Sequence, residues 1–120
     1  MLLEVLIVDD NEDITILLQD IVSMENHQVT VAATGERAKA AIDAKQFDLA
    51  FCDLTLPDIS GWEVVDYLKT RSPGTPVAII SGLGDAGAGD SAHSNSIDVV
   101  LKKPFKINEI QSVLARYATP

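Results

Sequence analysis

Short, unbroken apolar runs alternate along this chain with segments of helical period, and few folds accommodate that alternation. Residues 2–8 are almost continuously apolar and rich in β-branched or γ-branched side chains, the pattern of a strand covered on both faces. Asn11 then stands where a helix N-cap belongs, followed by Glu12 and Asp13 in a first turn whose dipole favours negative charge. Ile14, Leu17, Leu18, Ile21 and Val22 fall at the spacing of one apolar helix face.

The same unit recurs. Val29 and Val31 alternate with polar neighbours in 28–32, as an edge strand would. Thr34 is placed to cap a helix carrying Ala38, Ala41 and Ile42. Residues 48–52 predict a third strand, and Pro57 ends regular structure after it. Ser60 and Glu63 have capping-box spacing ahead of a helix with Val64, Val65 and Leu68 inward. A turn over 73–76 precedes a fourth strand at 77–80, and a fifth is predicted at 98–101. Ile107, Ile110, Val113, Leu114 and Tyr117 predict a closing amphipathic helix. Five strands alternating with helices imply βαβ crossovers, and therefore a parallel sheet with helices on both faces.

One stretch resists the pattern. Gly82, Gly84, Gly87 and Gly89 crowd residues 82–96, and between Gly84 and Ser96 nothing apolar is larger than alanine. Each interior glycine costs a helix about 0.8–1.0 kcal/mol relative to alanine, with little apolar face to offset it, so the fourth helix expected here is marginal.

Composition narrows the function classes. A chain of 120 residues with 47% hydrophobic content is one domain with room for a core of its own. Eighteen acidic against nine basic residues give a net charge of −9, which disfavours direct nucleic-acid binding. A single cysteine makes no internal bridge, as in a reducing compartment. The first apolar run contains Glu4, lacks a basic flank and is too short to span a bilayer. A cytoplasmic domain without a membrane partner is the expectation.

In open parallel sheets, ligands bind beyond the carboxyl ends of the strands. Asp9 and Asp10 follow the first predicted strand, Asp53 the third, Ser81 the fourth, and Lys102 and Lys103 the fifth. Any one of these reads as a solvated loop charge or a helix cap; all of them at consecutive strand ends read as a site. Three carboxylates and one lysine leave about −2 within a small radius, and like charges so close disfavour one another unless neutralised. A hard divalent cation with oxygen ligands and retained waters, Mg²⁺, meets that need and readies the rim for a phosphate.

These residues resemble the receiver domain of two-component response regulators over the whole chain. The resemblance is carried by the acidic pair Asp9 and Asp10 after Leu6, Ile7 and Val8; by Asp53 within Cys52, Leu54, Thr55, Leu56, Pro57 and Asp58; by Gly61; by Ser81 and Gly82; and by Lys103, Pro104 and Phe105. It implies an α/β fold with a five-stranded parallel sheet of order 2-1-3-4-5, and one receiver domain over 1–120, alone or as the N-terminal part of a longer protein. It implies that Asp53 accepts a phosphoryl group from a sensor histidine kinase or phosphotransfer protein. Asp9, Asp10, Asp53 and the backbone carbonyl of Thr55 would hold Mg²⁺, while Ser81, the Gly82 amide and Lys103 would bind the phosphoryl oxygens. Thr55 and Leu83 would tune the lifetime of the phosphorylated state, and the Lys103–Pro104 peptide would be cis. Such a domain is a signalling module with self-catalysed transfer and slow autodephosphorylation rather than an enzyme, and its output partner is not implied.

Two departures stand out. The family usually has an aromatic three residues before the lysine, where this chain has Val100, and its fourth helix usually has apolar anchors that 82–96 lacks. Signal propagation by ring reorientation is therefore not expected, and a change of order over 84–96 on phosphorylation is the alternative. Gly82 is expected to allow close backbone approach, having no Cβ. Cys52 reads as a small buried strand residue, and His27 and His93 as polar loop residues without metal-spaced partners.

Three rival functions fit the sequence less well. A phosphatase of haloacid-dehalogenase type needs a second acid two residues beyond the nucleophile, where Thr55 stands. A flavin module needs free amides in a phosphate loop after the first strand, where Asp9 and Asp10 stand instead. A phosphorylation-independent interaction module would have no use for every one of the reacting residues.

Overall fold

The computed structural model describes residues 2–82 and 97–118. Five strands, β1 (Glu4–Val8), β2 (Gln28–Ala32), β3 (Leu49–Asp53), β4 (Val77–Ser81) and β5 (Val99–Lys102), pair in the order β2-β1-β3-β4-β5. Every pairing is parallel. Four helices are present among the described residues: α1 (Glu12–Met24), α2 (Gly35–Ala44), α3 (Gly61–Arg71) and α4 (Ile107–Ala118). The predicted α/β sheet with its 2-1-3-4-5 order is the observed one, and the marginal helix expected over 82–96 lies outside the described residues except at Gly82.

Strand alternation sorts the apolar side chains into two cores. Val5, Ile7, Leu49, Phe51, Ala78, Ile80 and Leu101 pack on one face with Leu18, Ile21 and Val22 of α1 and Ile110, Val113 and Leu114 of α4. Leu6, Val8, Ala50, Cys52, Val77 and Ile79 pack on the other with Ala38 and Ile42 of α2 and Val64, Val65 and Leu68 of α3. Each fully buried Leu, Ile, Val or Phe contributes about 1.5–3 kcal/mol relative to exposure, so both faces of the central strands drive folding.

β1 and β2 end as predicted, and β3, β4 and β5 one residue later. Asp53, Ser81 and Lys102 are the last residues of β3, β4 and β5 rather than the first beyond them. On α1 the apolar face is turned slightly from the expected one: Leu17 is 37% exposed, and Thr15 is buried in its place. Thr15 meets its polar need locally, its hydroxyl donating to the Glu12 carbonyl at 2.9 Å. His27 lies in the loop between α1 and β2, as read, but is not a solvated side chain. It is buried, and its Nδ1 accepts the Leu3 backbone N–H at 2.9 Å, which satisfies a donor just ahead of β1.

The helices begin where their caps were read. Asn11 accepts the Asp13 and Ile14 amides, Thr34 the Arg37 amide and Ser60 the Trp62 amide. The capping box expected at Ser60 is not made: its hydroxyl accepts the Trp62 amide rather than that of Glu63, and the Glu63 carboxylate pairs with Lys39 of α2 at 2.7 Å. At α2 the cap has a second component: Asp58, from the β3–α3 loop, accepts the Gly35 and Glu36 amides at 2.9 and 3.0 Å. Those two bonds hold the Asp58 carboxyl below the usual carboxylate range.

Gly61 opens α3 against the end of β3. A Cβ there would lie 2.6 Å from Leu54 Cα and closer still to the Asp53 carbonyl. Both obstacles are backbone and have no rotamer to yield. Gly61→Ala should therefore lower stability by about 1–3 kcal/mol, as overpacking does, measured by urea unfolding; a change below a few tenths would mean the junction relaxes freely. The lowered Asp58 pKa also fixes a sign. Its stabilising contribution is complete above the unfolded value of about 4 and is lost as acidification passes through the folded value. The stability gap between the parent and Asp58→Ala should thus hold from neutral pH down to about 4 and close below it. A gap that widens on acidification would contradict the assignment.

Candidate functional site

β1 and β3 are neighbours, as are β3 and β4, so the sheet order alone sets Asp9, Asp53 and Ser81 side by side at its carboxyl edge. Asp9 directly follows β1, with its N–H donating to the Ala32 carbonyl of β2 at 3.2 Å. Asp53 is paired in register with Ile80, and Ser81 with Lys102. The chain then turns through the cis Lys103–Pro104 peptide expected from the resemblance, with the Lys103 N–H donating to the Ser81 carbonyl at 2.8 Å. The Lys103 side chain reaches Asp53, whereas Lys102 stays exposed on β5.

Asp10, Asn11, Asp53, Thr55, Leu56, Pro57, Gly82 and Lys103 line an open cleft of about 440 Å³. Asp9 does not line the cleft: it is wholly buried, its Oδ1 accepts the Asn11 N–H at 2.8 Å, and its Oδ2 accepts no hydrogen bond. Asp53 is 5% exposed; its Oδ1 accepts the Thr55 N–H at 3.0 Å and its Oδ2 the Lys103 ammonium at 3.1 Å. Lys103 Nζ also stands 3.3 Å from the bare Asp9 Oδ2. One carboxylate oxygen from each of Asp9, Asp10 and Asp53 falls within 4.8 Å of the others.

The electrostatics follow from burial. Desolvation raises the Asp9 pKa and the Asp53 charge adds to it, against the opposing pull of the Asn11 amide and Lys103. Desolvation disfavours the Lys103 ammonium, but the Asp53 hydrogen bond and the charges of Asp9 and Asp53 outweigh it, and its pKa is raised. One firmly charged lysine thus serves two buried acids, with Asp10 beside them. The site is short of positive charge. Its donor set is all oxygen, and the unbonded lone pairs of Asp9 Oδ2 point to the same missing partner, so these residues fit a hard divalent cation.

Cys52 behaves as read from the sequence. It is buried, its Sγ lies 3.4 Å from the Asp53 carbonyl and 3.7 Å from the Gly61 carbonyl, and burial, with the Asp53 and Asp9 charges, pushes its thiol far above the ordinary range. It carries no thiolate chemistry.

Other expectations need adjustment. Ser81 is at the rim but 2% exposed, and it is not among the residues lining the cleft. Gly82 lines the cleft, and among the described residues a Cβ there would meet nothing within 4 Å. Val100 is 41% exposed on β5, and Leu83, His93 and the segment 84–96 lie outside the described residues. Sequence reasoning missed Asn11 as a partner of Asp9 as well as a cap, and Leu56 and Pro57 as cleft walls. Their nearness to Asp9 and Asp53 in the chain was the available signal.

Comparison with known proteins agrees with this architecture. The response regulator receiver domain family matches residues 5–115. The transcriptional regulatory protein TcrA of Mycobacterium tuberculosis is 32% identical over 106 residues, covering 88% of this chain and 42% of that protein. The chain therefore spans less than half the length of that relative. Sporulation initiation phosphotransferase F of Bacillus subtilis is 28% identical, with 95% of this chain and 92% of that protein covered. Among solved structures, the receiver domain of NtrX from Brucella abortus superposes with a TM-score of 0.86 at 33% identity, covering 97% of this chain and 99% of that one. A CheY-like receiver domain protein from Methanospirillum hungatei gives 0.89 at 26% identity, covering 97% and 93%. The strand-end acids, the lysine that spans them and these likenesses converge: the chain belongs to the response regulator receiver domains of two-component signalling systems.

Proposed function

We propose that residues 1–120 act as one phosphoacceptor receiver domain in which Asp53 takes a phosphoryl group from the phosphohistidine of a sensor kinase or phosphotransfer protein. The observation that carries this reading is the convergence of Asp9, Asp10 and Asp53 within 4.8 Å, with Lys103 bonded to Asp53 at 3.1 Å. An Asp53 carboxylate oxygen attacks phosphorus while the P–N bond of the donor breaks. The electron pair leaves on the imidazole nitrogen, and an acyl phosphate forms on Asp53. Phosphoryl transfer asks for alignment and charge stabilisation more than for covalent machinery.

Each residue has a part in that alignment. The Thr55 N–H on Oδ1 and Lys103 on Oδ2 fix the Asp53 carboxylate at the end of a rigid strand. Lys103 contributes positive charge toward the transferred oxygens, and the Gly82 amide and Ser81 hydroxyl are the further donors, Ser81 by moving outward from its buried position. Asp9, Asp10, Asp53 and the Thr55 carbonyl would hold Mg²⁺. Receiver domains generally bind this ion, which when bound offsets the negative charge of the acids and the phosphoryl group. Thr55, on the cleft wall, and Leu83 set how long the acyl phosphate survives. Direct nucleic-acid binding by these residues is not expected, since a net charge of −9 repels it. No helix among the described residues is long and apolar enough to cross a membrane.

Incubation with acetyl phosphate and Mg²⁺ should add one acid-stable, base-labile phosphoryl group by intact-protein mass spectrometry, and Asp53→Asn should add none. Equal modification of the variant would end the assignment of Asp53. Asp10→Ala should weaken Mg²⁺ binding by about tenfold in a calorimetric titration and slow phosphorylation with it. Unchanged affinity would remove Asp10 from the metal shell.

A further inference from the structure

The loop from β3 to α3 carries three walls of the cleft, Thr55, Leu56 and Pro57. Its base is closed by the Thr55–Ser60 bridge and by the Gly61 N–H donating to the Leu54 carbonyl at 2.9 Å. Its tip is held differently. Among the described residues, the hydrogen bonds tying residues 56–59 to another element are the two accepted by the Asp58 carboxylate, from Gly35 and Glu36 at the start of α2. The Ile59 side chain fills the space that a Cβ on Gly35 would need, so the loop is seated on α2 by packing as well as by charge.

Those two amides are free donors of a helix first turn, where a carboxylate is favoured both by hydrogen bonding and by the helix dipole. Thr34 already caps this helix through the Arg37 amide, so α2 has its own stop within its own sequence. What Asp58 adds is a link across 22 and 23 residues of chain, from the outer wall of the cleft to a helix that does not line it.

We propose that Asp58 is a positioning residue for the phosphoryl site, clamping the β3–α3 loop to α2 so that the Thr55 backbone and the Leu56–Pro57 wall are in place before the cation and the phosphodonor arrive. This rests on the phosphoacceptor reading above. Thr55 is bound to the Asp53 carboxylate through its N–H, so a loop free to swing shifts a partner of the reacting group itself. Losing an outer partner of a metal site typically costs ten- to a hundredfold in affinity or rate.

The test compares Asp58→Ala and Asp58→Asn with Asp43→Ala in the otherwise intact chain. Asp43 joins α2 to α3 through the Tyr67 hydroxyl at 2.8 Å and Arg71 Nε at 3.0 Å, and it does not line the cleft, so its loss loosens the same helices without touching the loop. Mg²⁺ affinity by calorimetry, phosphorylation rate with acetyl phosphate at saturating Mg²⁺, and amide exchange over residues 54–61 are measured on each. Asp58→Ala should weaken Mg²⁺ and slow phosphorylation by about tenfold and deprotect the loop amides. Asp58→Asn, which keeps one acceptor oxygen, should fall between it and the parent. Asp43→Ala should lower thermal stability while leaving affinity and rate within twofold of the parent. If Asp58→Ala matches Asp43→Ala in affinity and rate, Asp58 only caps α2 and the proposal is overturned, with the phosphoacceptor reading intact. A parent protein that takes up no phosphoryl group defeats that reading and this one with it.

Discussion

Two carboxylates with almost no access to solvent, Asp9 and Asp53, sit at the ends of adjacent buried strands and share one ammonium, that of Lys103. Burying an ionised acid is costly unless it is paired and hydrogen-bonded, and here the compensation is incomplete by design of the charges: one cation serves two buried anions and a third at the rim. Everything around the cleft bends to this deficit. Asn11 and Thr55 turn their amides onto the acids, Lys103, directly after β5, reaches both of them, and Asp9 Oδ2 is left with only that ion pair at 3.3 Å. An arrangement of this kind gains electrostatic stabilisation from any further positive charge brought to the cleft.

The sheet that carries this charge cluster is ordinary, and that is why it was readable. Continuous apolar runs at β1, β3 and β4 have one stable environment, between two helical layers, and the intervening helical periods supply those layers. The acids were legible for the same reason: a charge at the end of such a run cannot be core. The one-residue shifts at Asp53, Ser81 and Lys102 have a common cause. Backbone pairing continues into the site residues even though their side chains are polar, so hydrophobicity ends before the ladder does.

What was not legible depended on long-range partners. Nothing local distinguishes His27 from a solvated loop histidine; its role comes from the Leu3 amide, 24 residues away. Thr15 looks like a polar helix position and is buried because its hydroxyl is satisfied within its own turn. The Glu63 carboxylate has the spacing of a capping partner but finds Lys39 across the helix pair, a contact that exists only once α2 and α3 pack. Gly61 and Gly82 show the same limit. Both are glycines beside the site, and among the described residues only at Gly61 does the backbone of another segment occupy the missing side chain's place.

The division of each strand between two cores has a consequence for how this chain tolerates change in length. In β1, Val5 and Ile7 serve one core while Leu6 and Val8 serve the other, and Asp9 follows immediately. Each strand is in effect a counted ruler, whose parity decides which helix pair a side chain meets and on which side of the rim its terminal acid emerges. Deleting one residue inside β1 or β3 would exchange the two cores and misdirect Asp9 or Asp53 in the same step. Residues can be gained or lost at the amino ends of the strands without that penalty. Insertions and deletions in descendants of this chain should accumulate at that end of the sheet, leaving the carboxyl edge at constant count.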